Sequence, residues 1–300
     1  MTRKDRWMSP LWGRREFLVL LAASALAGKA RAAATPRIAA IDWAMLETSV
    51  ALGVMPVAAT ELIQFRVGAV EPEIPDAVAD LGLRGAPNFE LLQLTRPDLI
   101  LISPFYTRYT GRLEAIAPVF SLPFYVKGEP PFAKALAAVS SLGEKLGRTE
   151  EARKVLDETN QALQAMRVRL EAFATRPTYV INIGDARHFR AFGKDSMFGD
   201  ILGRLGLTNA WADRSQFTFA APVPLENLAG SPDARIVIVS DIPVEARESL
   251  RNSAIWRALP AVRENRVVTL GNVSPYGGIT AGMRFARLLT EALTIRGEAL

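Results

Sequence analysis

An unbroken helical pattern from Glu150 to Phe173 sits near the middle of this 300-residue chain. It constrains the fold more than any other feature. Apolar side chains recur at Ala152, Val155, Leu156, Leu163, Met166, Leu170 and Phe173, mostly at the three- and four-residue spacings that turn one face of an α-helix toward a core. Thr149 is the expected N-cap, Glu150 and Glu151 suit the positive end of the helix dipole, and Pro177 prevents continuation. At ~1.5 Å per residue such a helix reaches about 36 Å, enough to cross from one compact body to another.

Strand-like and helix-like segments alternate on both flanks. Before the helix, apolar runs at Ile38 to Ile41, Val57 to Ala59, Leu99 to Ile102 and Val119 to Leu122 are separated by helical patterns around 44–53, 88–95 and 108–117. After Pro177, the runs Tyr179 to Ile183, Phe189 to Phe192, Ile236 to Val239 and Val267 to Leu270 alternate with helical patterns near 196–206, 243–251 and 278–295. This alternation signals α/β units. The expected architecture is two α/β lobes joined by one long rigid α-helix, with a ligand cleft between the lobes. The expected divisions are a cleaved signal peptide over 1–32, an N-terminal α/β lobe over 33–148, the linking helix over 149–174 and a C-terminal α/β lobe over 175–300. An imperfect repeat agrees with two lobes. Phe89-Glu90-Leu91-Leu92 leads through Pro97-Asp98 to Leu99–Ile102, and Leu225-Glu226-Asn227-Leu228 leads through Pro232-Asp233 to Ile236–Val239. Pro-Asp commonly starts a turn before a strand, so two generic helix–turn–strand units would give the same pattern.

The first 32 residues read as a cleavable export signal: scattered Lys and Arg, the apolar run Phe17 to Gly28, then Ala30-Arg31-Ala32 before Ala33. Arg14-Arg15-Glu16-Phe17-Leu18 also fits a twin-arginine signal, which implies export after folding. The apolar run falls short of the roughly 20 residues a membrane-spanning helix needs, and no later segment supplies them. A soluble, monomeric protein of the periplasm is expected, not one embedded in a membrane. Of the 36 basic and 31 acidic residues, seven and two lie in this leader, leaving 29 of each. The basic balance therefore belongs to the leader and does not point to nucleic acid or a membrane surface as a partner.

Cysteine is absent, which excludes disulfides, thiolate metal sites, a nucleophilic thiol and a lipid-modified cysteine. Histidine occurs once, at His188, so metal sites built on two or three imidazoles have no ligands here. Tyrosinate and carboxylate could still hold ferric iron, whereas a pre-chelated metal would need no protein ligand at all. His188 follows Asp185-Ala186-Arg187 and precedes a strand, and is read as a structural or rim residue. No Gly-x-Ser-x-Gly elbow, Gly-x-Gly-x-x-Gly fingerprint, phosphate-binding loop or His-Glu-x-x-His motif is present, so no catalytic residue is assigned and an enzyme is not expected.

The most informative stretch for binding is 80–109. Arg84 lies between Gly82 and Gly85, and Tyr106 follows the strand exit Ser103-Pro104, so both sit where a strand gives way, the edge at which open α/β sheets take ligands. A guanidinium fork suits an oxygen-rich anionic or polarised ligand. A tyrosine offers an aromatic face together with a hydroxyl donor.

Nearly the whole chain after the leader resembles the substrate-binding proteins of iron-siderophore ABC importers, especially the periplasmic ferric-hydroxamate binders. The resemblance is carried in order by Ile38 to Trp43, Leu52 to Pro56, Glu71 to Pro75, the 80–109 stretch, Phe192-Gly193, Asn209-Ala210-Trp211, Ile255 to Arg263 and Tyr276-Gly277. It implies a non-catalytic receptor that captures an iron(III)-hydroxamate siderophore and hands it to an inner-membrane ABC permease. Iron would be held only through the siderophore, with no cofactor of the protein's own. It also implies that Arg84 and Tyr106 contact the hydroxamate oxygens, that Trp43, Tyr276 and Phe217 or Phe219 line the cleft, and that Glu90 and Glu226 dock on the permease. Helix-start glutamates that merely complement the dipole are the structural alternative for that pair. Gly68 and Ile102 stand where tryptophans are expected from the resemblance, which implies a less aromatic pocket and a preferred siderophore other than ferrichrome. The same fold could carry a catecholate siderophore, haem or a corrinoid. An exported hydrolase or oxidoreductase is the remaining reading.

Overall fold

In the computed structural model the described residues are 35–211 and 222–297; the expected leader, Phe217 and Phe219 lie outside them. Strands Ile38–Ala40 (β1), Ala58–Ala59 (β2), Ala79–Asp80 (β3), Leu99–Ile102 (β4) and Val119–Ser121 (β5) form one sheet in the order β3-β2-β1-β4-β5. Every neighbouring pair in it is parallel. A second sheet holds Thr178–Ile183 (β6), His188–Ala191 (β7), Val223–Pro224 (β8), Arg235–Ile238 (β9) and Val267–Thr269 (β10), in the order β10-β9-β6-β7-β8. There β7 runs antiparallel to both neighbours while β9 is parallel to β6 and β10.

The helices are Trp43–Ala51 (α1), Leu62–Gly68 (α2), Phe89–Leu94 (α3), Thr110–Glu114 (α4), Phe132–Leu146 (α5), Thr149–Arg169 (α6), Met197–Arg204 (α7), Val244–Asn252 (α8), Ala254–Ala258 (α9), Pro260–Arg263 (α10) and Ile279–Gly297 (α11). The central pattern forms α6, 21 residues or about 32 Å long, and passes into a 3-10 turn over Glu171–Phe173. Thr149 is its first residue rather than its cap. Arg148 takes the cap position with no side-chain cap bond, a one-residue offset typical of helix ends. Helix α5 falls in a stretch where the sequence suggested no element, and Gly147, in the left-handed region at φ 66°, turns the chain straight from α5 into α6.

Side chains on a strand alternate faces, and this alternation sorts the core. Leu99, Leu101, Val180 and Val237 join one apolar cluster with Met45 of α1, Leu142 of α5, Leu163 of α6, Phe198 of α7 and Phe285 of α11. Ile100 and Ile102 face a second cluster on the outside of the first sheet. Ile181, Ile236 and Ile238 face a third, with Trp211, outside the second sheet. The two sheets therefore turn their inner faces to a single helical layer. α6 joins them in sequence, and α11 returns to pack against α1, α5, α6 and α7.

The seam between α1 and α11 is built on a buried acid. Glu47 Oε2 accepts from the backbone N–H of Gly278 at 2.7 Å and Ala281 at 2.9 Å, the donors an N-terminal helix turn leaves free. Oε1 has no hydrogen-bond partner. Burial pushes the Glu47 carboxyl up to about 8 against the pull of those two N–H groups. Glycine is required beside it, because a Cβ on Gly277 would stand 2.2 Å from Glu47 Oε1 and one on Gly278 2.9 Å from the Ala44 carbonyl. Glu71 adds an outer clasp, accepting from Arg284 Nη1 at 2.6 Å and from Arg287 Nη2.

Candidate binding site

All five strands of the first sheet point the same way, so their C-terminal ends meet at one edge. The segment after each end supplies a wall of a cavity of about 390 Å³: Asp42 after β1, Glu61 after β2, Arg84 after β3, Ser103, Pro104, Phe105, Tyr106 and Arg108 after β4, and Phe124 and Tyr125 after β5. Tyr276, after β10, closes it from the second sheet.

Arg84 is fixed from two sides. Its Nε donates to Glu61 Oε2 at 2.6 Å, and its backbone N–H donates to Glu61 Oε1 at 3.0 Å. Its guanidinium carbon lies 4.0 Å from the centroid of the Trp43 ring, a cation–π contact worth about 0.5–2 kcal/mol. Glu61 engages Nε, so the terminal Nη donors are not taken up by that carboxylate. Glu61 reaches this position from the left-handed region, at φ 52°.

Trp43 itself is 8 % exposed and does not line the cavity. Its Nε1 donates to the Thr60 carbonyl at 3.0 Å, and its ring meets Phe65 edge-on at 5.2 Å. The expectation of an aromatic wall is corrected to a platform under Arg84. The physical reason is that the indole is buried with the rest of α1 from Trp43 to Ser49 and lies behind the Arg84 guanidinium.

Asp42 ties the edge together. Its Oδ1 caps α1 by accepting from Ala44 and Met45 N–H, and its Oδ2 accepts from the Ser103 hydroxyl at 2.8 Å. Burial raises its carboxyl above the ordinary range, opposed by the Ser103 hydroxyl, those N–H groups and the Arg84 charge. Tyr106 lies in a 3-10 turn over Pro104–Tyr109. Burial and the Asp42 charge push its phenol up to about 12, with Arg84 pulling the other way. Burial pushes Tyr276 up to about 12 as well, and its ring meets Tyr125 edge-on at 5.5 Å. The phenols of Tyr106 and Tyr276 are thus neutral donors at ordinary pH. Arg108 also lines the cavity and has no carboxylate partner among the described residues.

The structure brings Arg84, Tyr106 and Tyr276 together, whereas Glu90 and Glu226 stand apart from them. Both glutamates are exposed near the start of their helical turns, with no cationic partner among the described residues. His188 pairs with Asp185 at 3.1 Å and does not line the cavity. Sequence reasoning missed Asp42, Glu61, Ser103, Phe105 and Tyr125 as lining residues. Asp42 carried a signal, an acid between a strand and a helix, which is a capping position; Glu61 carried none.

Residues 38–273 match the family model described as periplasmic binding protein. The chain belongs to the periplasmic binding protein family. Within this family it is 31 % identical over 289 residues to the iron(3+)-hydroxamate-binding protein FhuD of Escherichia coli strain K12, covering 95 % of this chain and 97 % of that one. It is 21 % identical over 244 residues to the Fe(3+)-citrate-binding protein YfmC of Bacillus subtilis strain 168, covering 80 % and 75 %. Among solved structures, the Fe3+–Desferal-bound siderophore-binding protein FhuD of Vibrio cholerae superposes with a TM-score of 0.81 at 24 % identity, over 87 % of this chain and 98 % of that one. No helix among the described residues is long and apolar enough to cross a membrane.

Proposed function

We propose that this family member is a periplasmic receptor for iron(III)-hydroxamate siderophores that delivers them to an inner-membrane ABC permease. The observation that carries the reading is the donor character of the cavity. Arg84, Tyr106 and Tyr276 offer N–H and O–H groups to a ligand rich in oxygen acceptors, and phenols pushed up to about 12 are poor candidates for tyrosinate ligands to bare iron. Among the described residues no cluster of three or more His, Cys, Asp or Glu could hold a metal ion. In this reading the iron arrives as cargo inside its own chelate. Charge favours a hydroxamate over a strongly anionic catecholate, because Glu61 offsets Arg84 and leaves Arg108 as the lining's cation without a carboxylate partner.

Tryptophan fluorescence tests this directly, since Trp43 lies against Arg84. Ferrioxamine, ferrichrome or ferric coprogen should quench it saturably at submicromolar concentration. Quenching only by ferric enterobactin or haem would keep the fold and change the cargo. In this reading Glu90 and Glu226 meet cations on the permease. Charge reversal of both should abolish import and leave ligand affinity unchanged; retained import would remove them from docking.

A further inference from the structure

Phe105 is 71 % exposed, yet it lines the cavity. The other phenylalanine of the lining, Phe124, is 1 % exposed and forms part of the core. Phe105 is thus the lining's free apolar ring among the described residues, and it belongs to none of the three apolar clusters.

Its backbone is nevertheless held at both ends of the turn. Before it, the Ser103 hydroxyl donates to Asp42 and the Tyr106 N–H donates to the Ser103 carbonyl. After it, the Thr107 hydroxyl donates to the Pro104 carbonyl at 2.9 Å and the Tyr109 hydroxyl donates to the Gly85 carbonyl. Tyr109 in turn packs on Phe89 at 5.9 Å. A large ring presented on a pinned turn, one residue from Tyr106, contributes nothing evident to folding. Because its backbone is held at the cavity wall, the ring is positioned to be covered by what enters the cavity.

We propose that Phe105 sets ligand preference in this cleft by packing on the apolar arms that connect the chelating groups of the cargo. The inference rests on the hydroxamate reading above. Polar recognition and apolar recognition are divided within one turn: Tyr106 and Arg84 serve the oxygens around the iron, and Phe105 serves the hydrocarbon that carries them. Ile102 is buried on the outer face of the sheet at 1 % exposure, so the exposed hydrocarbon surface after β4 comes from Phe105.

The test compares two chelates with the same hydroxamate chemistry. One is ferrioxamine, whose hydroxamates are joined by aliphatic chains; the other is iron(III) with excess acetohydroxamic acid, which has no connecting arms. Phe105→Ala should weaken ferrioxamine binding about tenfold and leave the armless complex within about twofold, with Phe105→Leu recovering most of the loss. The thermal midpoint should not move, because the ring is exposed in the free protein. An equal loss for both chelates would overturn the proposal, since the ring would then act on the iron centre or the turn. Unchanged ferrioxamine affinity with reduced import would also overturn it, assigning the ring to the permease contact. If the unaltered protein binds neither chelate, the hydroxamate reading itself fails, an outcome distinct from either of these.

Discussion

The first sheet sends five strand ends to the cleft and every one supplies lining residues, whereas the second, among the described residues, supplies Tyr276. Strand direction explains the first sheet's share. In an all-parallel sheet every C-terminal end emerges at the same edge, so five loops converge there. In the second sheet β7 alone runs against its neighbours, so four of its strands also share one direction; among the described residues it is the segment after β10 that reaches the cavity. Two sheets that read alike as apolar runs therefore supply unequal shares of the cavity lining among the described residues.

The largest expected effect concerns the seam that makes the two sheets one body. Glu47 is pushed up to about 8 in the folded chain, above its ordinary 4.5, so folding retains a proton there that unfolding releases. Its contribution is fully present below about pH 4.5 and is lost as pH rises toward 8, by at most about 1.4 kcal/mol per pH unit and roughly 3–4 kcal/mol across the range. Denaturant unfolding from pH 5 to 8 should show this fall, and Glu47→Gln should flatten it. Identical slopes in the two proteins would mean that the helix N–H groups hold Glu47 ionised.

Next in size, Arg84→Ala should lower affinity for a ferric hydroxamate about 100-fold, because it removes charged donors and leaves Glu61 without its partner. A change under about threefold in the quenching titration would move the site away from the first sheet. Within the same comparison, Tyr106→Phe should lower affinity about tenfold and Tyr276→Phe about threefold, each removing one hydroxyl donor. Equal losses would erase the asymmetry between the sheets. With both phenols pushed up to about 12, affinity should also stay flat from about pH 6 to 9. The smallest expected effect is at His188, whose ring pairs with Asp185 at 3.1 Å. His188→Ala should leave affinity within about twofold by the same titration.

Much of this was legible beforehand. Strands β4, β6 and β9 announce themselves as apolar runs because both of their faces are covered. Helix α6 shows a clean three- and four-residue period because one face alone is buried. Helix α5 was missed: its buried positions include Ala135, Ala138 and Gly143 beside Val139 and Leu142, small residues that let α6 and α11 approach closely but weaken the apolar signal. Strand β2 was legible at Val57 to Ala59, whereas the two-residue strands β3 and β8 are defined by their neighbours and leave little local trace. At the site, Arg84 and Tyr106 were legible from chain order at a strand exit. The inward turn of Trp43, the left-handed backbone at Glu61 and the exposure of Phe105 are tertiary facts that no local pattern encodes.

Glu90 and Glu226 ride on sheets that share one interior. A receptor built this way keeps nearly the same outline empty or full, as small-angle scattering with and without ferrioxamine would show by an unchanged radius of gyration. If Glu90 and Glu226 are the docking contacts proposed above, a permease would then judge occupancy from the cargo and the loops around it, not from a new spacing between the two. Empty receptors would remain able to dock, and at high abundance they would compete with loaded ones for the transporter.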